Sequence, residues 1–161
     1  MKKNLTRLFI LGILACPIIG MAVACSEEED CSMTTRAMLY CNLYTIDEES
    51  NTVKKDTLKS LTITAWGTDS VILNRGSNVK DLTLPLRYTA DSTVLVFHYD
   101  EGRDTLIIRQ TNTPYFVSMD CGYQMQQEVR SVSYTRHLLD SIYISEAEAN
   151  IYGTENLKLF Y

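Results

Sequence analysis

The chain has 161 residues, of which 45% are hydrophobic and 22% are charged, and its net charge is −5 at pH 7. This length suits one domain, because domains most often contain about 100–150 residues, and such a chain can fold without a metal or a dense disulfide net. The acidic balance and the lack of a basic stripe argue against nucleic acid as a partner, because that binding depends on neutralising phosphates. They also argue against adhesion of the protein surface to anionic lipid.

The first residues have the layout of a secretory signal. Basic residues within the first seven positions precede an apolar run at 8–23, which ends in small residues directly before Cys25. The run covers about 16 residues and contains Pro17, whereas a membrane-spanning helix needs roughly 20 apolar residues. We therefore expect residues 1–24 to be a cleaved signal peptide. The mature chain would then have 137 residues and a net charge of about −8.

The residues around Cys25 resemble the lipobox of bacterial lipoproteins, in which the cysteine thiol is diacylated and the new amino terminus is then modified. Ala22 stands where the lipobox usually has Leu. Acylation of Cys25 with palmitate-like chains would attach the protein stably to a membrane, because one acyl chain gives marginal anchoring and two or more give stable anchoring. We therefore predict lipid attachment at Cys25. The alternative is ordinary secretion with Cys25 in a disulfide.

An acidic string, Ser26-Glu27-Glu28-Glu29-Asp30, follows Cys25. Blocks of like charge repel one another and stay solvated, so residues 25–33 are expected to form a lipid-anchored acidic tether. The string also resembles the acidic export signal that follows the acylated cysteine in surface-exposed lipoproteins of the Bacteroidetes. The expected location is the bacterial cell envelope, as an outer-membrane lipoprotein on the periplasmic or the surface side.

From Thr34 onward the sequence predicts strand after strand. Arg36–Tyr44 and Leu58–Trp66 alternate apolar and polar residues with period two, which is typical of half-buried strands. Ser92–Tyr99 is apolar on both faces and is the best candidate for a central strand. The turn at 100–103 is expected to close a hairpin onto Asp104–Arg109.

The other segments follow the same signals. A loop is predicted at 47–56 and a turn at 74–78, and a helical alternative at 146–151 is too short to stand alone. The remaining predicted strands are Val71–Leu73, Asp81–Arg87, Tyr115–Val117, Gln124–Arg136, Ser141–Ser145 and Asn156–Tyr161. Short strands at this spacing predict an all-β fold, first an antiparallel, immunoglobulin-like sandwich over 34–161 and second a small open β-barrel.

Three cysteines follow Cys25, and an exported protein meets an oxidising compartment in which a disulfide is the default for a suitable pair. Cys41 lies on an apolar strand face, so a buried free thiol is expected there. Joining Cys31 to Cys121 would close a loop of about 90 residues, worth roughly 4–5 kcal/mol on the chain-entropy model. We favour the pair Cys31–Cys121, with Cys41–Cys121 as the alternative.

Several motifs together resemble an uncharacterised lipoprotein family of the Bacteroidetes. They are the lipobox, Cys31 before Thr35-Arg36, Leu82-Thr83-Leu84-Pro85-Leu86, Ser118-Met119-Asp120-Cys121-Gly122-Tyr123 and the terminal Glu155-Asn156-Leu157. The resemblance covers nearly the whole mature chain and implies a sandwich-like envelope lipoprotein of unknown activity. It brings no catalytic residues, and Cys41 is not part of the pattern.

No catalytic, cofactor or metal site is predicted. His98 lies in the most apolar strand and is expected to be a core or edge residue rather than a base. Cys121, His137 and Asp140 would have to meet to form a nucleophile system, and no nucleophile signature surrounds Cys121. The acidic residues near the 100–103 turn match no calcium loop, so a solvated hairpin is expected.

Aromatic residues give the remaining signal, with ten tyrosines and a single tryptophan, Trp66. Trp66 falls on the face of its strand opposite Leu61 and Ile63, so we expect it to be at least partly exposed. The leading functional prediction is a non-enzymatic accessory or interaction subunit at the outer membrane, with another outer-membrane protein as its partner. The alternative is a surface glycan-binding module that uses Trp66 and tyrosines, and a hydrolase comes third.

Overall fold

The computed structural model describes residues 36–47, 49–68 and 70–161. The chain divides into two units, Met1–Met33 and Thr34–Tyr161, and all described residues belong to the second. The strands are β1 (Leu39–Asp47), β2 (Thr52–Lys55), β3 (Leu58–Ala65), β4 (Val71–Val79), β5 (Asp81–Leu84), β6 (Ser92–Tyr99), β7 (Gly102–Ser118), β8 (Gly122–Tyr134), β9 (Ser141–Ile144) and β10 (Glu155–Phe160). The described residues contain no helix long and apolar enough to span a membrane.

The strands form two five-stranded sheets. In the first sheet, β5 and β2 pair in succession with one edge of β1, and β10 pairs with its other edge, followed by β9. The β1–β10 pair is parallel, with Cys41 opposite Leu157. The second sheet has the order β4-β3-β6-β7-β8 and is antiparallel throughout.

The two sheets share one hydrophobic core. Alternate residues of each strand point inward, as the period of a strand requires. The first sheet contributes Leu39, Cys41, Leu43, Leu84, Leu157 and Leu159, and the second contributes Leu61, Ile63, Leu95, Phe97, Leu106 and Ile108. The predicted all-β sandwich is confirmed, and the described strands do not close into a barrel.

Two local predictions are confirmed. Ser92–Tyr99 is β6, the middle strand of the second sheet, and it forms a hairpin with β7 in which Tyr99 pairs with Gly102. Burial on both sides explains why this strand is apolar throughout: its inner face meets the core, and Val96 on its outer face is also buried between neighbouring strands.

Other boundaries differ from the prediction. The loop predicted at 47–56 contains β2, an edge strand whose four residues are exposed and therefore show no apolar alternation. The turn predicted at 74–78 lies inside β4, where Arg75 and Asn78 adopt φ angles of 47° and 52° and the pairing with β3 shifts register. Two predicted strands, 104–109 and 115–117, are parts of the single 17-residue β7.

The connection between β9 and β10 is extended rather than helical and joins the two sheets. Ala147 and Ala149 exchange backbone hydrogen bonds with β8 at 2.8 and 2.9 Å. Asn150 exchanges bonds with Met38, just before β1, at 3.0 and 3.1 Å. The buried Asn156 side chain fixes this connection by donating to the carbonyls of Glu146 and Glu148.

Candidate functional site

The cysteines predicted as site residues fall into two groups. Cys25 and Cys31 lie outside the described residues, so lipid attachment and the Cys31–Cys121 pair stay predictions. Cys41 is a free thiol in the core, and burial, followed by the nearby charge of Glu155, raises its pKa. The alternative pair Cys41–Cys121 is therefore wrong. Cys121 is half-buried in the turn after β7 and is not a free thiol.

A long hairpin extends from the second sheet. Strand β6 begins at Ser92, opposite Arg109, and the last backbone bond on this edge of β7 runs from Gln110 N to Asp91 O at 2.9 Å. Farther along, β7 continues to pair with β8 as far as Ser118 and Gly122. We call residues 113–126 the hairpin arm.

The hairpin arm carries an exposed apolar surface. Its large exposed side chains are Tyr115, Phe116, Val117, Met119 and Tyr123. Met119 at the turn is 90% exposed, and the rings of Phe116 and Tyr123 pack edge to face with their centroids 5.4 Å apart. Asp120 is the one charged residue of this segment. Clustered exposed apolar side chains with so little charge are typical of an interaction site.

Three side-chain amides fix the base of the hairpin arm. We call Gln110, Asn112 and Gln127 the amide cluster; each donates to the backbone of the loop at 87–90 or to another member. Asn112 Nδ2 lies 2.6 Å from Ala90 O, and Gln110 Nε2 lies 2.9 Å from Arg87 O. Gln127 Nε2 donates to Asn112 Oδ1 at 2.8 Å. Because Gln110 and Gln127 are buried, these bonds hold the loop firmly against the start of the arm.

The described chain begins beside the same loop. The Arg36 guanidinium stacks over the Tyr88 ring at 4.3 Å and donates to Leu86 O. Tyr88 O in turn accepts a hydrogen bond from Asn112 of the amide cluster at 3.2 Å. The point at which the chain joins the sandwich and the base of the hairpin arm are therefore at the same end of the sandwich.

Trp66 is 62% exposed, which confirms the expected exposure. Its backbone N donates to Val94 O at 3.0 Å, and Val94 pairs with the exposed Ile107. Val71, also exposed, pairs with Thr64 on the same outer face. Trp66, Val71, Val94 and Ile107 thus form a second apolar surface, which we call the Trp66 patch.

The exposed tyrosines lie elsewhere. Tyr115 and Tyr123 belong to the hairpin arm, Tyr143 belongs to β9 in the other sheet, and Tyr152 belongs to the β9–β10 connection. The neighbours of Trp66 in the sheet register are aliphatic. The structure therefore does not bring Trp66 and the tyrosines together as one aromatic platform.

The candidate nucleophile residues are not brought together either. His137 Nε2 contacts Glu101 O at 2.7 Å, directly before β7, whereas Cys121 follows the other end of that strand. At about 3.3 Å per residue, the ends of a 17-residue strand lie roughly 50 Å apart. His98 is half-buried on the outer face, where its Nε2 lies 2.9 Å from Thr64 Oγ1.

Asp104 is one of the acidic residues near the 100–103 turn, with Asp100 and Glu101, for which the sequence predicts a solvated hairpin rather than a calcium site; the structure shows instead that Asp104 is a buried carboxylate. It accepts hydrogen bonds from Thr135 Oγ1 at 2.8 Å, His137 N at 2.7 Å, Leu138 N at 2.9 Å and Leu139 N at 2.9 Å. Burial alone would raise its pKa, but the three backbone N–H groups and the hydroxyl outweigh burial and hold the pKa below its usual value. The sequence signal for its burial is the position of Asp104 in the strand, because Asp104 shares the inward face of β7 with Leu106 and Ile108.

Residues 60–161 match the model of DUF6452, which is described as a family of unknown function. No curated protein and no solved structure matches the chain.

Proposed function

The chain belongs to DUF6452, a family of unknown function, and we propose that it is a lipid-anchored, non-enzymatic interaction domain of the bacterial outer membrane. Acylated Cys25 is the proposed attachment site, and residues 25–33 are the proposed lipid-anchored tether. The resemblance to a Bacteroidetes lipoprotein family, carried by the lipobox and the Cys121-Gly122-Tyr123 turn, supports this assignment.

The observation that carries the proposal is the distribution of apolar and polar groups. Large apolar side chains gather at the surface in the hairpin arm and the Trp66 patch. The buried polar side chains Asp104, Gln110 and Asn156 are instead bonded to backbone groups that hold loops in place. Such a molecule offers binding surfaces and uses its buried polar chemistry for structure.

The proposed partner is another outer-membrane protein, and the Trp66 patch is its proposed contact. The sheet around this patch is built by β3, β4, β6 and β7, and its strands present their side chains on a continuous outer face. An exposed tryptophan in an uncharged apolar surrounding fits the centre of an interface, where aromatic residues are enriched and charged residues are depleted.

We also propose the disulfide Cys31–Cys121, which would attach the tether to the hairpin arm. Two observations on the described cysteines support it: Cys41 is a free buried thiol, and Cys121 is not free. An exported chain would form such a bond in its oxidising compartment.

Mass spectrometry of the mature N-terminus tests the attachment. We expect a chain that starts at Cys25 and carries acyl chains, and a Cys25→Ser variant that loses them and leaves the detergent phase on partitioning. A wild-type mature protein that starts elsewhere or lacks acyl chains would refute lipid attachment.

Purification of the tagged protein from detergent-solubilised envelopes tests the partner. Repeated recovery of wild type alone would contradict a stable complex.

The second candidate function is a glycan-binding module, favoured by the exposure of Trp66. Stacking of sugars on tryptophan predicts binding of envelope polysaccharide that Trp66→Ala abolishes and Trp66→Phe weakens less. Binding that Trp66→Ala leaves unchanged would exclude this site.

A further inference from the structure

We propose that the hairpin arm inserts its tip into the interfacial layer of the bilayer that holds the anchor, so that the protein contacts the membrane at two points. This proposal rests on the proposed acylation of Cys25. It assigns the hairpin arm to lipid and leaves the Trp66 patch for a protein partner.

The length of chain outside the described residues supports this occupant. Cys25 lies eleven residues before Arg36, and eleven residues reach at most roughly 38 Å. Arg36 packs on Tyr88 beside the base of the hairpin arm. From Thr113 to Met119 the arm extends about 20 Å at the rise of a strand. A tether of this length therefore lets the base of the arm lie at a height above the membrane that the arm can bridge.

The proposed disulfide would bring the tip still closer. If Cys31 is bonded to Cys121, only six residues separate the acylated cysteine from the tip, a path of at most roughly 21 Å. The Met119 side chain is two positions from Cys121 and is 90% exposed. The bond would therefore hold the tip within roughly 21 Å of the acylated cysteine.

The composition of the hairpin arm suits the interfacial layer. Tyrosine rings are amphipathic and collect at the boundary between headgroups and acyl chains. Tyr115 and Tyr123 present such rings on the arm, and Phe116, Val117 and Met119 provide purely apolar side chains. The two strands of the arm pair with each other as far as Ser118 and Gly122, but each has an outer edge without a partner strand, so the insertion must stay in the hydrated interfacial layer, where water solvates those backbone groups.

The charge distribution also favours the hairpin arm as the part of the protein that contacts the membrane. The mature chain carries about −8, and four of the five residues after Cys25 are acidic, so electrostatic attraction to anionic lipid is ruled out as the cause of contact. The hairpin arm contains a single charged residue, Asp120, in 14 residues. Contact must then come from apolar and aromatic burial, and it should occur on uncharged phosphatidylcholine.

Tryptophan fluorescence tests the insertion, because Trp66 is the only tryptophan of the chain. In a Trp66→Phe background, Met119→Trp places a reporter at the tip and Leu138→Trp places a matched reporter near Asp104, at the opposite end of β7. Both positions are exposed, so neither change disturbs the core. The acylated full-length mature protein is reconstituted in phosphatidylcholine vesicles, with or without lipid brominated in the upper part of its acyl chains.

We expect the Met119→Trp protein to show blue-shifted emission in vesicles and to lose intensity with brominated lipid, whereas the Leu138→Trp protein shows neither change. Equal emission of the Met119→Trp protein with and without bromine would overturn the proposal. A blue shift that the Met119→Trp protein shows only after an envelope protein or a second copy is added would also overturn the proposal. Mass spectrometry of each sample confirms acylation first. A missing acyl group refutes the attachment, while an acylated protein with an unquenched tip refutes only the insertion.

Discussion

Replacement of Asp104 by asparagine tests whether the buried carboxylate holds the 135–139 segment against β7. The change keeps the shape of the side chain but replaces one carboxylate oxygen with an NH₂ group. Each carboxylate oxygen of Asp104 accepts two hydrogen bonds, so the variant loses two acceptor bonds and places a donor against two donors. At about 1.5 kcal/mol or more for each bond to a charged group, we expect the free energy of unfolding to fall by about 3 kcal/mol.

The loss should depend on pH in a defined direction. Because the folded protein holds the pKa of Asp104 below its usual value, the ionised carboxylate stabilises the fold at pH values above the unfolded pKa, about 3.9. That contribution disappears as pH falls through the folded pKa. The difference between wild type and Asp104→Asn should therefore be constant from neutral pH down to about pH 5 and shrink below about pH 4.

Urea denaturation, followed by circular dichroism across this pH range, measures the difference. Asp100→Asn is the matched control, because Asp100 lies exposed in the turn before β7. We expect the control to change the free energy of unfolding by no more than about 0.5 kcal/mol. A loss below about 1 kcal/mol for Asp104→Asn, or a loss that stays the same in acid, would refute this role of the carboxylate.

Three further predictions concern the core, the β9–β10 connection and the free thiol. Phe97→Ala should lower the free energy of unfolding by about 3–5 kcal/mol, whereas Trp66→Ala should change it by about 0.5 kcal/mol or less in urea titrations, since only Phe97 is buried. Asn156→Ala removes the acceptor of Tyr40 N and should cost about 2–4 kcal/mol, with faster hydrogen exchange at Tyr40; unchanged exchange would contradict this. Cys41 should resist a thiol reagent in the native protein and react after unfolding without reductant, because it is buried and burial raises its pKa; labelling of Cys31 and Cys121 under those conditions, located by peptide mass mapping, would contradict the proposed disulfide.

Period-two alternation was enough to predict the sandwich. Ser92–Tyr99 does not alternate and was identified instead by apolar residues on both faces, which agrees with its pairing on both edges and with the burial of Val96 on its outer face. Alternation failed for β2, because an edge strand whose side chains are all exposed has no reason to alternate. Strand β7 was predicted as two separate strands, 104–109 and 115–117; Pro114, which lies between them, is tolerated inside the strand because β7 there extends past Ser92, the first residue of β6, and has a free edge.

The contact surfaces were harder to predict. The exposure of Trp66 followed from its position opposite Leu61 and Ile63, and it was right. Its separation from the exposed tyrosines depends on which strands are neighbours in the sheets. Local periodicity does not show which distant segments pair, so this separation could not be predicted. The hydrogen-bond partners of Asp104 and Gln127 were also not predictable from local sequence, because those partners belong to distant loops.

The parallel pairing of β1 with β10 joins the two ends of the described chain and has a consequence for folding kinetics. Cys41 pairs with Leu157, and Tyr161 N donates to Tyr44 O at 2.9 Å, so the first sheet is completed only when the last residues are present. Contacts between such distant segments are slow to form, because loop-closure entropy opposes them. On the proposed export route, in which the N-terminus leads, the first sheet would therefore stay incomplete until β10 has crossed the membrane, which delays completion of the sandwich until after translocation.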